Sequence, residues 1–248
     1  MYRQGIEVKR DTDVGIIIEK ASWFSVIESL YPNSERIYYP NDQDDVLYVR
    51  MEAGGEVAFA VGQGASMAAC IAERLRVYGA KAIIRVGTCG ALSKKIKLWC
   101  PIVTTACFSS EGTSRHYLPK GYPIVSDFDL NTILIKKLND SGIDYQQGVT
   151  VTTDGRWRED PELLKELSQT GAVSIEMETA AIFSVCQFRK LPVAAINIPA
   201  DLPADEDSKD DFKGIPDRKT YKSNLEKSLR KIIPTVVDTL NNYHQKTN

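Results

Sequence analysis

Three stretches combine residue types whose spacing could do chemistry. In "IIRVGTCGAL" (83–92) an arginine closes an apolar run, and two glycines, a threonine and a cysteine follow. Glycines let backbone N–H groups approach an anion, Thr88 adds a hydroxyl and Arg85 a planar fork of donors, so the stretch reads as an oxyanion site. The spacing fits neither a Walker A loop nor a complete GxGxxG. A strand-end arginine in a structural ion pair before a glycine turn accounts for the same residues.

The second stretch is "SIEMETAAIF" (174–183), where Glu176 and Glu178 flank Met177 inside an apolar run. Buried carboxylates are costly unless donors meet them. Two acceptors with a thioether between them would suit a sugar, whose hydroxyls donate while its carbon face packs on sulfur. Acidic residues favoured by a helix dipole are the alternative.

The third is "INIPADLPADE" (196–206), an apolar strand ending in Asp201, which could be a general acid or a loop cap. In "DGRWRED" (154–160), Trp157 could stack on a flat ligand. With two histidines, one of them (His244) in a tail expected to fray, no metal site is expected. His116 reads as a surface residue that could reach a site from its loop.

The elements that must position these residues alternate. Residues 14–18, 46–51, 56–61, 82–86, 101–108, 148–153 and 192–198 read as strands. Residues 66–79, 129–142, 160–171, 177–190 and 221–243 carry apolar residues at helical spacing, with Asp129 and Asp160 as candidate starts. This alternation predicts a three-layer α/β domain with a mixed central sheet flanked by helices. Ligands in such folds collect at the carboxyl ends of strands. The irregular stretches 109–127 and 199–217 are candidate site or interface loops.

The chain has 248 residues and no linker-like composition, so one domain over 1–248 is expected. A net charge of −2 with scattered basic residues argues against nucleic acid or an anionic membrane as partner. The charged N-terminus and the lack of a long apolar stretch point to a soluble, unprocessed protein. Five cysteines without a CxxC pair fit buried thiols in a reducing cytoplasm.

Together and in this order, "IIRVGTCGAL", "SIEMETAAIF" and the strand-end Asp201 resemble the nucleoside phosphorylase family, which includes purine nucleoside phosphorylases, uridine phosphorylases and related nucleosidases. The resemblance runs from about residue 56 to the C-terminal helix. It implies cleavage of an N-glycosidic bond, with inorganic phosphate as co-substrate, no other cofactor, and free base and ribose 1-phosphate as products. By position, Arg85, Thr88 and Lys20 would hold phosphate, and Glu178 and Met177 the ribose. Glu176, Trp157 and Ile175 would lie beside the base. Asp201 would protonate a departing purine with Arg218, or alternatively Lys213, as its cation.

Uridine phosphorylases carry a Gln-x-Arg element where this chain has "EDPELL", which favours a purine. The family's nucleosidases tend to lack an arginine at the position of Arg85, which favours phosphorolysis. The family builds its site at a dimer interface, so a homodimer or larger homo-oligomer is expected.

The first strand departs from the pattern. Where phosphorylases carry Gly-Asp-Pro-x-x-Arg, this chain reads "GIIIEKASW", with Glu19 in the glycine region and Trp23 near the arginine. Arg36 and Arg50 are candidates for the arginine a neighbouring subunit lends, and the family's N-terminal histidine has no counterpart. A uridine or broad-specificity phosphorylase, a hydrolytic nucleosidase and a non-catalytic nucleoside-binding protein stand as alternatives.

Overall fold

β-Branched residues in unbroken runs suit strands covered on both faces, and "VGIII" is buried at every position. In the computed structural model, which describes residues 2–247 apart from 4, 42, 43, 53 and 204–216, the chain begins with a short hairpin of β1 (Tyr2–Arg3) and β2 (Ile6–Glu7). There follow β3 (Val14–Ile18), α1 (Phe24–Leu30), β4 (Glu35–Tyr39), β5 (Asp44–Arg50), β6 (Glu56–Val61) and α2 (Ala65–Tyr78). Next come β7 (Ile83–Ala91), β8 (Ile102–Ser110), β9 (Ile124–Val125), α3 (Phe128–Asp140), β10 (Gln146–Thr153) and α4 (Pro161–Gln169). The chain closes with β11 (Ala172–Glu176), α5 (Thr179–Arg189), β12 (Val193–Asp201) and α6 (Arg218–Thr247).

The sheet runs β11-β10-β8-β12-β7-β3-β6-β5-β4, with β9 paired to β8. Its centre is largely parallel and the β4–β5–β6 edge antiparallel. β11 also pairs with β7 at Ser174↔Ala91 and Ile175↔Gly90, which curls the first five strands of that order into a closed ring.

Alternation along the strands separates two cores. Val14, Ile16 and Ile18 of β3 face one core with residues of α1, α3 and α6, whereas Ile17 faces a second with α2 and α5. On β7, Ile84 and Val86 join the first core and Ile83 the second. Period two therefore puts Arg85 on the α2/α5 side, together with Gly87. The architecture is the expected mixed α/β sheet flanked by helices.

Local expectations change in four places. The strand expected to stop at residue 86 continues through "GTCG", because Gly87, Thr88 and Cys89 pair in register with Asn197, Ile198 and Pro199 of β12. The helix expected from 177 starts at Thr179, since "AVSIE" forms β11. Asp127 rather than Asp129 caps α3, accepting a 2.8 Å hydrogen bond from Leu130 N. α6 does not fray before His244, whose side chain is buried.

Candidate active site

The closed ring of strands has a polar interior. Arg85 on β7 donates through Nη1 to Asn197 on β12, and Asn197 Nδ2 donates to Thr104 Oγ1 on β8 at 3.1 Å. Thr104 and Thr150 hydroxyls meet at 2.8 Å, and Thr150 and Ser174 at 2.9 Å, which brings in β10 and β11. Each of the five strands thus contributes one polar residue to a continuous hydrogen-bonded belt, all of them buried. A fully satisfied buried network fixes the relative heights of the strands, because a slipped register would orphan several groups at once.

Above the belt, the bend between β11 and α5 presents the acidic pair. Glu176 Oε1 accepts from Thr152 Oγ1 at 2.5 Å, and its Oε2 accepts from the backbone N–H groups of Glu178 and Thr179, both at 2.8 Å. It therefore satisfies the first turn of α5, which is helix-terminus chemistry. Glu178 Oε1 accepts from Gly64 N at 2.6 Å, and Oε2 from Arg85 Nη2 at 2.5 Å. Gly64 precedes α2 with φ of +79°, a conformation that side chains disfavour and that turns its N–H toward Glu178.

Arg85 is 1% exposed and lies 3.1 Å from Glu176 as well as 2.5 Å from Glu178. Its guanidinium lies across Gly87, where a methyl group would overlap it. Burial opposes its charge, but Glu176, Glu178 and Glu19 override that and hold it protonated more firmly than usual. Arg85, expected to face an anion directly, is turned inward by strand alternation, behind Glu178, where its guanidinium meets Asn197, Glu176 and Glu178. For Glu178, burial leads and the nearby Glu176 and Glu19 add to it, so its carboxyl titrates above the usual range despite the pull of Arg85.

The donors of Thr88 are engaged by Glu19. Glu19 Oε2 accepts from Thr88 N at 2.8 Å and from Thr88 Oγ1 at 2.5 Å, while its Oε1 lies 3.1 Å from Lys20 Nζ. Burial would raise the Glu19 carboxyl, yet Lys20, the Thr88 hydroxyl and Arg85 together hold it below the usual range. Tyr221 of α6 lies beside the same hydroxyl.

Eight of the residues assigned to phosphate, ribose, base or acid line one cavity of 430 Å³ at the carboxyl ends of β3, β7, β11 and β12. Thr88, Lys20, Glu178 and Met177 meet there with Asp201 and Arg218, and Ile175 and Glu176 complete that wall. Asp201 faces Gly90 across an irregularity in the β7–β12 pairing. Trp157, expected beside the base, is 92% exposed and lies outside the cavity of this single chain. Its neighbours Arg156 and Glu159, on and just after the short helical turn that follows β10, line the cavity instead.

Arg36 pairs with Glu28 at 3.3 Å and stacks on Phe24, away from this cavity, and Arg50 is exposed. His116 is exposed, and Lys213 lies outside the described residues. A larger cavity of 690 Å³ lies between α6 and the segment after β7, but no predicted site residue lines it. Among the described residues no cluster has the makings of a metal site, and no helix is long and apolar enough to cross a membrane.

The sequence reading missed Gly64, Thr152, Asn197 and Tyr221 as parts of this constellation. Asn197 and Thr152 had a signal: each is polar within a strand that is otherwise apolar. Gly64 and Tyr221 carry none until the fold brings them in.

The model of the phosphorylase superfamily matches residues 28–233. A guanosine phosphorylase of Halorubrum lacusprofundi is 30% identical over 174 residues, covering 68% of this chain and 70% of that protein. A uridine phosphorylase of Haemophilus influenzae is 26% identical over 238 residues, covering 86% and 91% respectively. The crystal structure of a purine nucleoside phosphorylase from Toxoplasma gondii in complex with immucillin-H superposes with a TM-score of 0.82, at 24% identity over 98% of this chain and 100% of that one. That likeness speaks to the fold.

Proposed function

From the premise that the chain belongs to the phosphorylase superfamily and is an enzyme of the nucleoside phosphorylase type, a pentosyltransferase, we propose that it cleaves purine ribonucleosides with phosphate. The products are free base and ribose 1-phosphate. The observation that carries this reading is the single cavity in which Asp201, the Met177–Glu178 bend and the Thr88 donors converge.

In this reading the ribose lies over Met177 with its hydroxyls donating to Glu178, which Arg85 and Gly64 hold in place. Phosphate takes the Thr88 N–H and hydroxyl with Lys20 beside it, and the buried charge of Arg85 contributes through space. A phosphate oxygen forms the bond to C1′ as the C1′–N bond breaks, and the electron pair leaves with the base. Asp201 gives its proton to the purine as that bond breaks, since a protonated purine leaves more readily than its anion. Arg218, at the cavity mouth, steadies the aspartate left behind.

The preference for purine is supported by Asp201, by "EDPELL" standing where a uracil-reading Gln-x-Arg would be, and by the guanosine phosphorylase among the relatives. A homodimer or larger homo-oligomer is supported by the exposed Trp157 next to the cavity-lining Arg156. The test is a panel of inosine, guanosine, adenosine and uridine with and without phosphate. Purine release that depends on phosphate and exceeds uracil release by about tenfold or more is expected. A faster reaction with uridine overturns the purine assignment, and equal rates with and without phosphate overturn phosphorolysis.

A further inference from the structure

An oxyanion site needs donors that converge, and Thr88 supplies two, a backbone N–H and a hydroxyl. In this chain a carboxylate of the protein already holds both. Glu19 Oε2 is 2.8 Å from Thr88 N and 2.5 Å from Thr88 Oγ1, and its other oxygen faces Lys20 Nζ at 3.1 Å. The Glu19 side chain is 10% exposed.

We propose that Glu19 is a resident anion seated in the phosphate cradle, and that phosphate engages the cradle only by displacing it. The proposal rests on the reading of Thr88 and Lys20 as the phosphate site. It makes Glu19 the residue that sets how much phosphate the enzyme requires.

Three features carry it. The first is position: β3 runs parallel to β7 and ends with Ile18 opposite Val86, so Glu19, one residue past the strand end, stands at the height of Gly87 and within reach of the adjacent Thr88. The second is donor stoichiometry. One N–H and one hydroxyl proton cannot fully serve a carboxylate and a phosphate oxygen together. The third is charge. With Glu19 seated, the carboxylates lining the cavity (Glu19, Glu159, Glu176, Glu178 and Asp201) match its cations (Lys20, Arg156, Arg218 and Lys222, with Arg85 behind them), so no net positive charge is left for an incoming phosphate. Lys20, the cation that would draw phosphate in, is itself held by Glu19.

The test is calorimetric titration of inorganic phosphate, without nucleoside, into the wild-type chain, Glu19→Ala and Glu19→Gln. The phosphate dependence of ribose 1-phosphate formation is measured in parallel, and thermal melts report whether each variant is folded. Glu19→Ala is expected to bind phosphate at least about tenfold tighter and to need correspondingly less for half-maximal rate. Glu19→Gln keeps an oxygen that can accept from Thr88 but no charge for Lys20, so it falls between, and it carries the test if Glu19→Ala does not fold. Equal or weaker phosphate binding in the variants, with the wild type still forming ribose 1-phosphate, overturns the proposal and leaves the proposed function standing. If no form binds phosphate and none yields ribose 1-phosphate, the reading of Thr88 and Lys20 fails, and the proposal with it.

Discussion

Replacing Arg85 with methionine removes one buried cation and strands unequal partners. Glu176 keeps its hydrogen bonds from Thr152, Glu178 N and Thr179 N, whereas Glu178 retains only the one from Gly64 among those identified. Methionine roughly preserves the bulk against Gly87, so the loss is chiefly electrostatic. Breaking a buried pair by removing one partner typically costs about 3–5 kcal/mol, a large share of the roughly 5–15 kcal/mol by which domains are stable. At about 2–4 °C per kcal/mol for a chain of this size, the melting temperature should fall by roughly 6–20 °C. Arg85→Lys keeps the charge but cannot fork between Glu178 and Asn197, and it should lie between the two. The assay is thermal and urea unfolding of both variants and of Arg85→Met/Glu178→Gln. The double variant should lose less than the two single variants summed, since neutralising Glu178 relieves the stranded charge. A melting temperature for Arg85→Met within about 2 °C of wild type, under about 1 kcal/mol on that scale, would refute the claim that Arg85 holds Glu178.

Asp201→Asn should slow purine release by about 10²- to 10⁴-fold, the usual worth of a positioned general acid, as followed by the absorbance of the released base. An undiminished rate removes Asp201 from the chemistry. The pH dependence of stability should carry the mark of Glu19. Its folded carboxyl titrates below the ordinary value of 4.5, so its contribution is complete above that pH and is lost as pH falls toward the folded value. The stability difference between wild type and Glu19→Gln, from urea unfolding at several pH values, should therefore shrink below about pH 4.5. All five cysteines are free, and Cys70 is exposed while burial pushes the thiols of Cys89, Cys107 and Cys186 up. A thiol reagent added to the native protein should label Cys70 first, as peptide mapping would show, with Cys89 reacting only on unfolding.

Much of this was legible because it is local or periodic. "VGIII" and "PVAAINI" announce covered strands through β-branched runs, and Asp201 and the Met177–Glu178 bend stand out as polarity at the ends of apolar stretches. The inward turn of Arg85 was not legible, because it depends on the strand continuing through "GTCG" and on Asn197, distant in sequence, lying beside it. Both readings of the acidic pair hold a share: Glu176 satisfies a helix terminus, while Glu178 lines the cavity. Trp157 misled because an aromatic side chain beside a strand end says nothing of which way a short helical turn will point it. Cys70 misled similarly, since a cysteine on an amphipathic helix can face either side, and α2 turns it outward. Glu19 was visible only as a departure from a glycine. That its carboxylate sits on the Thr88 donors depends on where the chain leaves the end of β3 beside β7, which composition cannot supply.

The central claim is transfer of ribose to phosphate, and the most direct test follows the fate of the sugar. The wild-type enzyme is incubated with inosine and excess phosphate in ¹⁸O-water, and hypoxanthine and both sugar products are quantified by mass spectrometry. The account predicts ribose 1-phosphate equal in amount to hypoxanthine, with no ¹⁸O at C1′. Free ribose carrying ¹⁸O as the main product, or no cleavage of any purine nucleoside, would contradict it.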